Sequence, residues 1–153
     1  MMTKIYVDGS GWNGERSGFC VYFDSGRCIE ESFEENQSNN MMEYAAMFRA
    51  LCECGQRDTI FSDSQLVVNQ ILKGWKCNYE HLRIMRDKCI AKMKEKNAMI
   101  VWIEREDNIA GRIIEKGINL NRLLRRVNRR EKNGNATGHI EEEGRQEENV
   151  QGL

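Results

Sequence analysis

Three acids in this sequence sit at the ends or on the inward side of apolar runs. Asp8 ends the run in IYVDGSG and Asp63 ends that in TIFSDS. Glu43 lies in SNNMMEYAAMFRAL, on the apolar side it shares with Ala46 and Met47 by i+3 and i+4 spacing. Each alone has an ordinary reading, as a turn Asp, a helix N-cap and a first-turn partner of the helix dipole respectively for Asp8, Asp63 and Glu43. Their positions together point elsewhere. Ligands of open α/β sheets collect at the carboxyl ends of strands, which is where IYV and TIF each deliver an acid. Carboxylates gathered there repel one another and cost stability unless a cation lies between them.

The elements that must position these acids follow from punctuation and periodicity. KIYVDGS, SGFCVYF and CIEESFEE, separated by GWNGERSG and DSGR, predict an antiparallel meander of three strands. SNNMMEYAAMFRALCECG carries Met42, Ala45, Ala46, Phe48 and Leu51 at helical spacing between a Ser/Asn start and a Gly stop. TIFSDS predicts a short fourth strand, and SQLVVNQILKG a helix ending at Gly74. After the loop GWKCN, YEHLRIMRDKCIAKMKEKN sets Leu82, Met85, Cys89 and Met93 on one stripe. AMIVWIER predicts the last strand and NIAGRIIEKG a shorter closing helix. The coarse order βββαβαβα implies an α/β sheet of mixed direction, whose later strands need helical crossovers and run parallel to their neighbours.

A chain of 153 residues has room for one catalytic domain plus an appendage. The net charge of -1 hides a division: residues 1–118 are near neutral, residues 119–132 (NLNRLLRRVNRREK) are basic, and residues 133–153 form an acidic tail with little to bury. The expected organisation is therefore a body at 1–118, a basic extension able to form a helix at 119–132, and a disordered tail at 133–153. No apolar run is long enough to span a membrane and no signal-peptide pattern opens the chain, which predicts a soluble cytoplasmic monomer. The six cysteines match no CxxC pair, and His81 and His139 stand near no cysteine pair, so reduced structural thiols are expected rather than zinc ligands. Cys20 and Cys28 flank the turn Asp24-Ser25-Gly26; if Phe23 pairs with Arg27, Cys28 faces Tyr22 and not Cys20.

Four stretches in order, IYVDGSG, SNNMMEYAAMFRAL, IFSDSQLVVNQI and WIEREDNIAGRIIEKG, resemble the ribonuclease H family, of the ribonuclease HI type, over roughly residues 3–117. The resemblance implies an α/β ribonuclease H-like fold, a five-stranded mixed sheet with helices on both faces. It implies hydrolysis of the RNA strand of an RNA/DNA hybrid by two Mg²⁺ ions, with Mn²⁺ able to substitute, leaving 5′-phosphate and 3′-hydroxyl ends. Two such ions, about 3.5–4 Å apart, can activate a water on one side of the phosphorus and stabilise the leaving 3′ oxygen on the other. Asp8 would bridge the ions, and Glu43 and Asp63 would share one of them. The fourth ligand departs from the family pattern, because Gly111 stands where that pattern, NxxADxLA, carries Asp. Glu115, one helical turn along the same face, is the favoured substitute, with Asp107 the alternative, Asn108 a neutral oxygen donor to consider, and three carboxylates alone a remaining option.

The hybrid itself would be recognised through the 2′-hydroxyl in its wide minor groove. By resemblance, Asn40 and Gln65 would bond base edges there, while Gly9, Ser10 and Gly11 let the backbone approach the RNA strand. Ser38 and Asn39 match the place where related enzymes grip a DNA phosphate, although Ser38 is equally a helix cap. LKGWKCNYEH lacks the basic protrusion of some relatives, and the basic NRLLRRVNRR could supply the missing phosphate contacts or be a solvated helix. The loop Glu104-Arg105-Glu106 has no His of the kind many relatives use for turnover. The competing expectation is a hybrid-binding module that lost catalysis through Gly111.

Overall fold

The computed structural model describes residues 2–134; the expected disordered tail lies almost wholly outside them. Two compact units divide between Ile114 and Glu115. In the first, strands β1 (Lys4–Ser10), β2 (Ser17–Phe23) and β3 (Cys28–Phe33) form the expected antiparallel meander. The β2–β3 turn closes with the Phe23 N–H donating to the Arg27 carbonyl at 2.9 Å, and Gly26 adopts φ +99°, which only glycine takes cheaply. Helix α1 (Asn39–Glu53) follows, then β4 (Thr59–Ser62), α2 (Gln65–Lys73), α3 (Glu80–Lys96) and β5 (Met99–Trp102). The sheet order is β3-β2-β1-β4-β5, with β4 parallel to both β1 and β5.

One face of this sheet makes the core. Ile5, Ile60 and Ile100 stand side by side across β1, β4 and β5, and Val7 and Val21 pair across β1 and β2. They cluster with Tyr44, Ala46, Met47, Ala50 and Leu51 of α1, which packs on β1 and β2. Fully buried side chains of this size each stabilise the fold by about 1.5–3 kcal/mol. The α3 stripe arrives as the periodicity predicts: Leu82 and Cys89 are buried and Met85 and Met93 pack against the cluster. α1 lies so close to β1 that a Cβ on Gly9 would sit 2.2 Å from the Met42 carbonyl carbon and 2.3 Å from the Glu43 nitrogen. Glycine at 9 is required by helix-to-strand approach, an internal reason separate from contact with a nucleic acid.

One expectation changes. The closing helix is not short: after a single 3-10 turn at Arg105–Asp107, α4 runs from Ile109 to Gly134, through the basic segment without a break. Glycines at 111 and 117 each cost about 1 kcal/mol of helix propensity, too little to stop a run followed by Leu, Arg and Lys. The cysteines are free thiols, as expected. Cys28 pairs with Tyr22 as expected, yet its Sγ lies 3.6 Å from that of Cys20, because same-face diagonal neighbours still reach each other. Among the described residues no helix is long and apolar enough to cross a membrane.

Candidate active site

The last paired residues of the parallel β1–β4 ladder are Val7 and Ser62, so Asp8 and Asp63 follow next to each other at the carboxyl ends of the two strands. Glu43 reaches them from α1. A carboxylate oxygen from each of the three lies within 4.8 Å of the others. None of the ordinary roles for these acids holds. Asp8 is inside β1, which continues to Ser10, and is not in a turn. Ser64, not Asp63, caps α2, its Oγ accepting the Val67 N–H at 3.3 Å. α1 starts at Asn39, with Ser38 Oγ accepting the Met41 N–H at 3.1 Å, so Glu43 is the fifth helical residue and lies beyond the first turn where the dipole would favour it.

The cluster is electrostatically strained in the absence of a cation. Burial pushes Asp8 up to about 6 from its ordinary 3.8, with the neighbouring Asp63 charge adding to the shift and Glu43 and Arg105 opposing it. Glu43 is raised well above the ordinary glutamate value, first by burial and then by the Asp8 charge. Its Oε2 is buried without a hydrogen-bond partner. A buried carboxylate oxygen with no donor is what a cation would satisfy, so the three residues fit a divalent ion held by oxygen ligands.

Asn108, which the sequence offered only as a neutral oxygen donor, makes contacts the sequence did not show. It is fully buried, and its Nδ2 donates at 2.9 Å to both the Val7 carbonyl and Asp63 Oδ2. Its Oδ1 accepts the Ala110 N–H at 3.2 Å, at the start of α4. The side-chain oxygen is thus engaged as a helix cap, and Asn108 acts as a donor that positions Asp63. Asn before an apolar helical run was the available signal for a cap; its bond to Asp63 had none, because it joins residues 45 apart in sequence. Trp102 fixes the same segment, its indole N–H donating to the Asp63 carbonyl at 3.1 Å.

Gly111 lies against the carboxylates. A Cβ on Gly111 would lie 3.3 Å from Asp8 Oδ2 and 3.8 Å from Asp63 Oδ2, so this glycine faces the carboxylates with no side chain to add. Asp107 is exposed at the end of the 3-10 turn. Glu115 is exposed and belongs to the second unit. Gly9 and Ser10 end β1, and the Gly11 N–H donates at 2.6 Å to Asn39 Oδ1. That bond ties the loop after β1 to the start of α1. Asn40 is half-buried in the first turn of α1, and Gln65 is exposed as the first residue of α2. Trp75 and His81 are exposed away from the core.

A family model described as RNase H matches residues 2–111. The fold is similar to the N-terminal RNase H domain of a Mycobacterium tuberculosis protein, solved as a fusion with maltose-binding protein, at 19% identity and TM-score 0.59, covering 70% of this chain and 85% of that one. It is similar to RNase H1 from the halophilic archaeon Halobacterium salinarum at 22% identity and TM-score 0.57, over 72% and 91%. LC11-RNase H1, isolated from compost by a metagenomic approach and solved in complex with an RNA/DNA hybrid, matches at 25% identity and TM-score 0.58, over 70% and 88%. With the match spanning the strands and helices that carry Asp8, Glu43 and Asp63, the chain belongs to the ribonuclease H family, HI type.

Proposed function

We propose that this chain hydrolyses the RNA strand of RNA/DNA hybrids with two divalent ions, leaving 5′-phosphate and 3′-hydroxyl ends. The observation that carries the proposal is the convergence of Asp8, Glu43 and Asp63 within 4.8 Å, with a buried Glu43 oxygen that no protein donor satisfies. Divalent ions bound there would supply activation of the attacking water and stabilisation of charge on the leaving 3′ oxygen. The chain's own contribution is to hold the three carboxylates in place. β1 and β4 fix Asp8 and Asp63 side by side, Asn108 orients Asp63, and the close approach at Gly9 delivers Glu43. Glu115 would be the fourth ligand, with Asp107 as its alternative. Gly9, Ser10, Gly11, Asn40 and Gln65 would meet the minor groove of the hybrid, where the 2′-hydroxyl marks the RNA strand, and Ser38 and Asn39 a phosphate of the DNA strand. The basic residues of 119–132 would add phosphate contacts that fade with salt.

A second reading rests on Gly111, which places no carboxylate at the fourth position: a hybrid-binding module without turnover. One experiment separates the two. A labelled RNA/DNA hybrid, duplex RNA and duplex DNA are incubated with the protein in Mg²⁺, Mn²⁺ or chelator, alongside Asp63→Asn, Glu115→Gln and Asp107→Asn. Metal-dependent cleavage of the hybrid alone, abolished in Asp63→Asn, supports the nuclease. Loss in Glu115→Gln but not in Asp107→Asn assigns the fourth ligand. Hybrid retention in calcium with no cleavage in magnesium supports the binding module.

A further inference from the structure

A second ligand cluster lies on β2 and β3. Cys20 and Glu30 are direct cross-strand partners, and Cys28 lies two residues before Glu30 on the same face of β3. The two sulfurs and a Glu30 carboxylate oxygen are all within 4.8 Å of one another. Cys20 is buried, whereas Cys28 and Glu30 are exposed, so a solute can reach the cluster from the open side of the edge strand.

The two sulfurs, 3.6 Å apart, are within hydrogen-bond contact as thiols, and the same spacing suits a shared cation. Two thiolates on one tetrahedral zinc, with bonds of about 2.3 Å, stand about 3.8 Å apart. A disulfide needs Cα atoms about 4.4–6.8 Å apart, whereas diagonal neighbours on an antiparallel ladder are typically about 7–8 Å apart. The observed sulfur separation fits two thiolates on one cation. Glu30 supplies the third ligand, an oxygen that zinc also accepts.

We propose that Cys20, Cys28 and Glu30 form a site for a soft divalent cation such as Zn²⁺ or Cd²⁺, distinct in chemistry from the all-oxygen cluster at Asp8, Glu43 and Asp63. As each sulfur-to-metal bond forms, its thiol gives up a proton to the buffer, so two protons leave for one cation bound. The fourth coordination position is filled by water. A cation in this place clips the edge strand β3 to β2.

The test is a cadmium titration of the full chain under a phosphine reductant, read by the ultraviolet thiolate-to-cadmium charge-transfer band. The expected result is one thiolate-bound cadmium per chain in the wild type, loss of the band in Cys28→Ser, and at least about tenfold weaker binding in Glu30→Gln. Cys28 is chosen because it is exposed, so the variant keeps its core. Cys52→Ser and Asp63→Asn should bind as the wild type does. In parallel, Zn²⁺ should protect Cys28 from alkylation and a chelator should restore its reactivity. A band that survives Cys28→Ser or disappears in Cys52→Ser overturns the proposal, as does alkylation of Cys28 that ignores zinc. Unchanged affinity in Glu30→Gln overturns the three-ligand site.

Discussion

Replacing Asp8 with asparagine should make the metal-free protein more stable at neutral pH while abolishing its metal-dependent activity. Burial raises the Asp8 carboxyl from 3.8 to about 6, so between these values the folded chain holds a proton that the unfolded chain has released. The stability this group contributes is therefore fully present below about pH 4 and is lost as pH rises through about 6. At about 1.36 kcal/mol per pH unit the shift corresponds to about 3 kcal/mol. Glu43, raised by burial and by Asp8, moves stability in the same direction. The amide of Asp8→Asn would keep the shape of the side chain without the charge, so in chelator at pH 8 the variant should exceed the wild type by up to about 3 kcal/mol, with the gap closing toward pH 4. Urea unfolding followed by circular dichroism, from pH 5 to pH 8 in chelator, measures it. Added Mg²⁺ should restore the wild type and leave the variant unmoved. If the metal-free wild type is as stable at pH 8 as at pH 5, or if Asp8→Asn is the less stable protein at pH 8, the buried Asp8 charge carries no penalty and the case for a cation beside it fails.

Three further perturbations probe how the site is held. Gly111→Asp adds a carboxylate whose Cβ starts 3.3 Å from Asp8 Oδ2; half-saturation by Mg²⁺ in the hybrid-cleavage assay should fall by about tenfold, or about 1.4 kcal/mol, and metal-free stability should drop. An unchanged magnesium dependence would show that this position does not face the ions. Gly9→Ala drives a methyl into the backbone of Met42 and Glu43, and should cost about 1–3 kcal/mol or more in urea unfolding and lower turnover by displacing Glu43. Asn108→Ala leaves the Val7 carbonyl and Asp63 without their donor and should cost about 1–3 kcal/mol of stability. Its kcat should fall more than its KM changes, and an equal loss through KM alone would argue that Asn108 is only a helix cap.

Much of the architecture was legible because local chemistry and global fold agree. The glycine-punctuated apolar runs gave the meander, and the stripe Leu82, Met85, Cys89 and Met93 gave the inward face of α3. Gly74 and Asn97 sit in left-handed conformations at the ends of α2 and α3, where the sequence stops its helical pattern. The end of the last helix was not legible, because a basic amphipathic run after Gly117 has the same local appearance whether it continues a helix or begins a separate one. The thiol pair escaped for a related reason. Strand register follows from the turn, but the reach of a diagonal side-chain pair depends on sheet twist and rotamers that the turn does not specify.

By itself the sequence singled out the three acids that converge, since an Asp at the end of each of two β-rich runs and a Glu on an apolar helix face are chemically out of place wherever those elements lie. Only the tertiary structure decided how they act together. Parallel pairing of β1 with β4 sets Asp8 beside Asp63, a glycine at 9 lets α1 bring Glu43 to them, and Asn108 reaches across the fold to orient Asp63. The longest of these contacts, from Asn108 to the Val7 carbonyl, joins residues 101 positions apart in sequence. Local propensity and periodicity carry no information at that range, whereas the packing of a helix on a sheet fixes it.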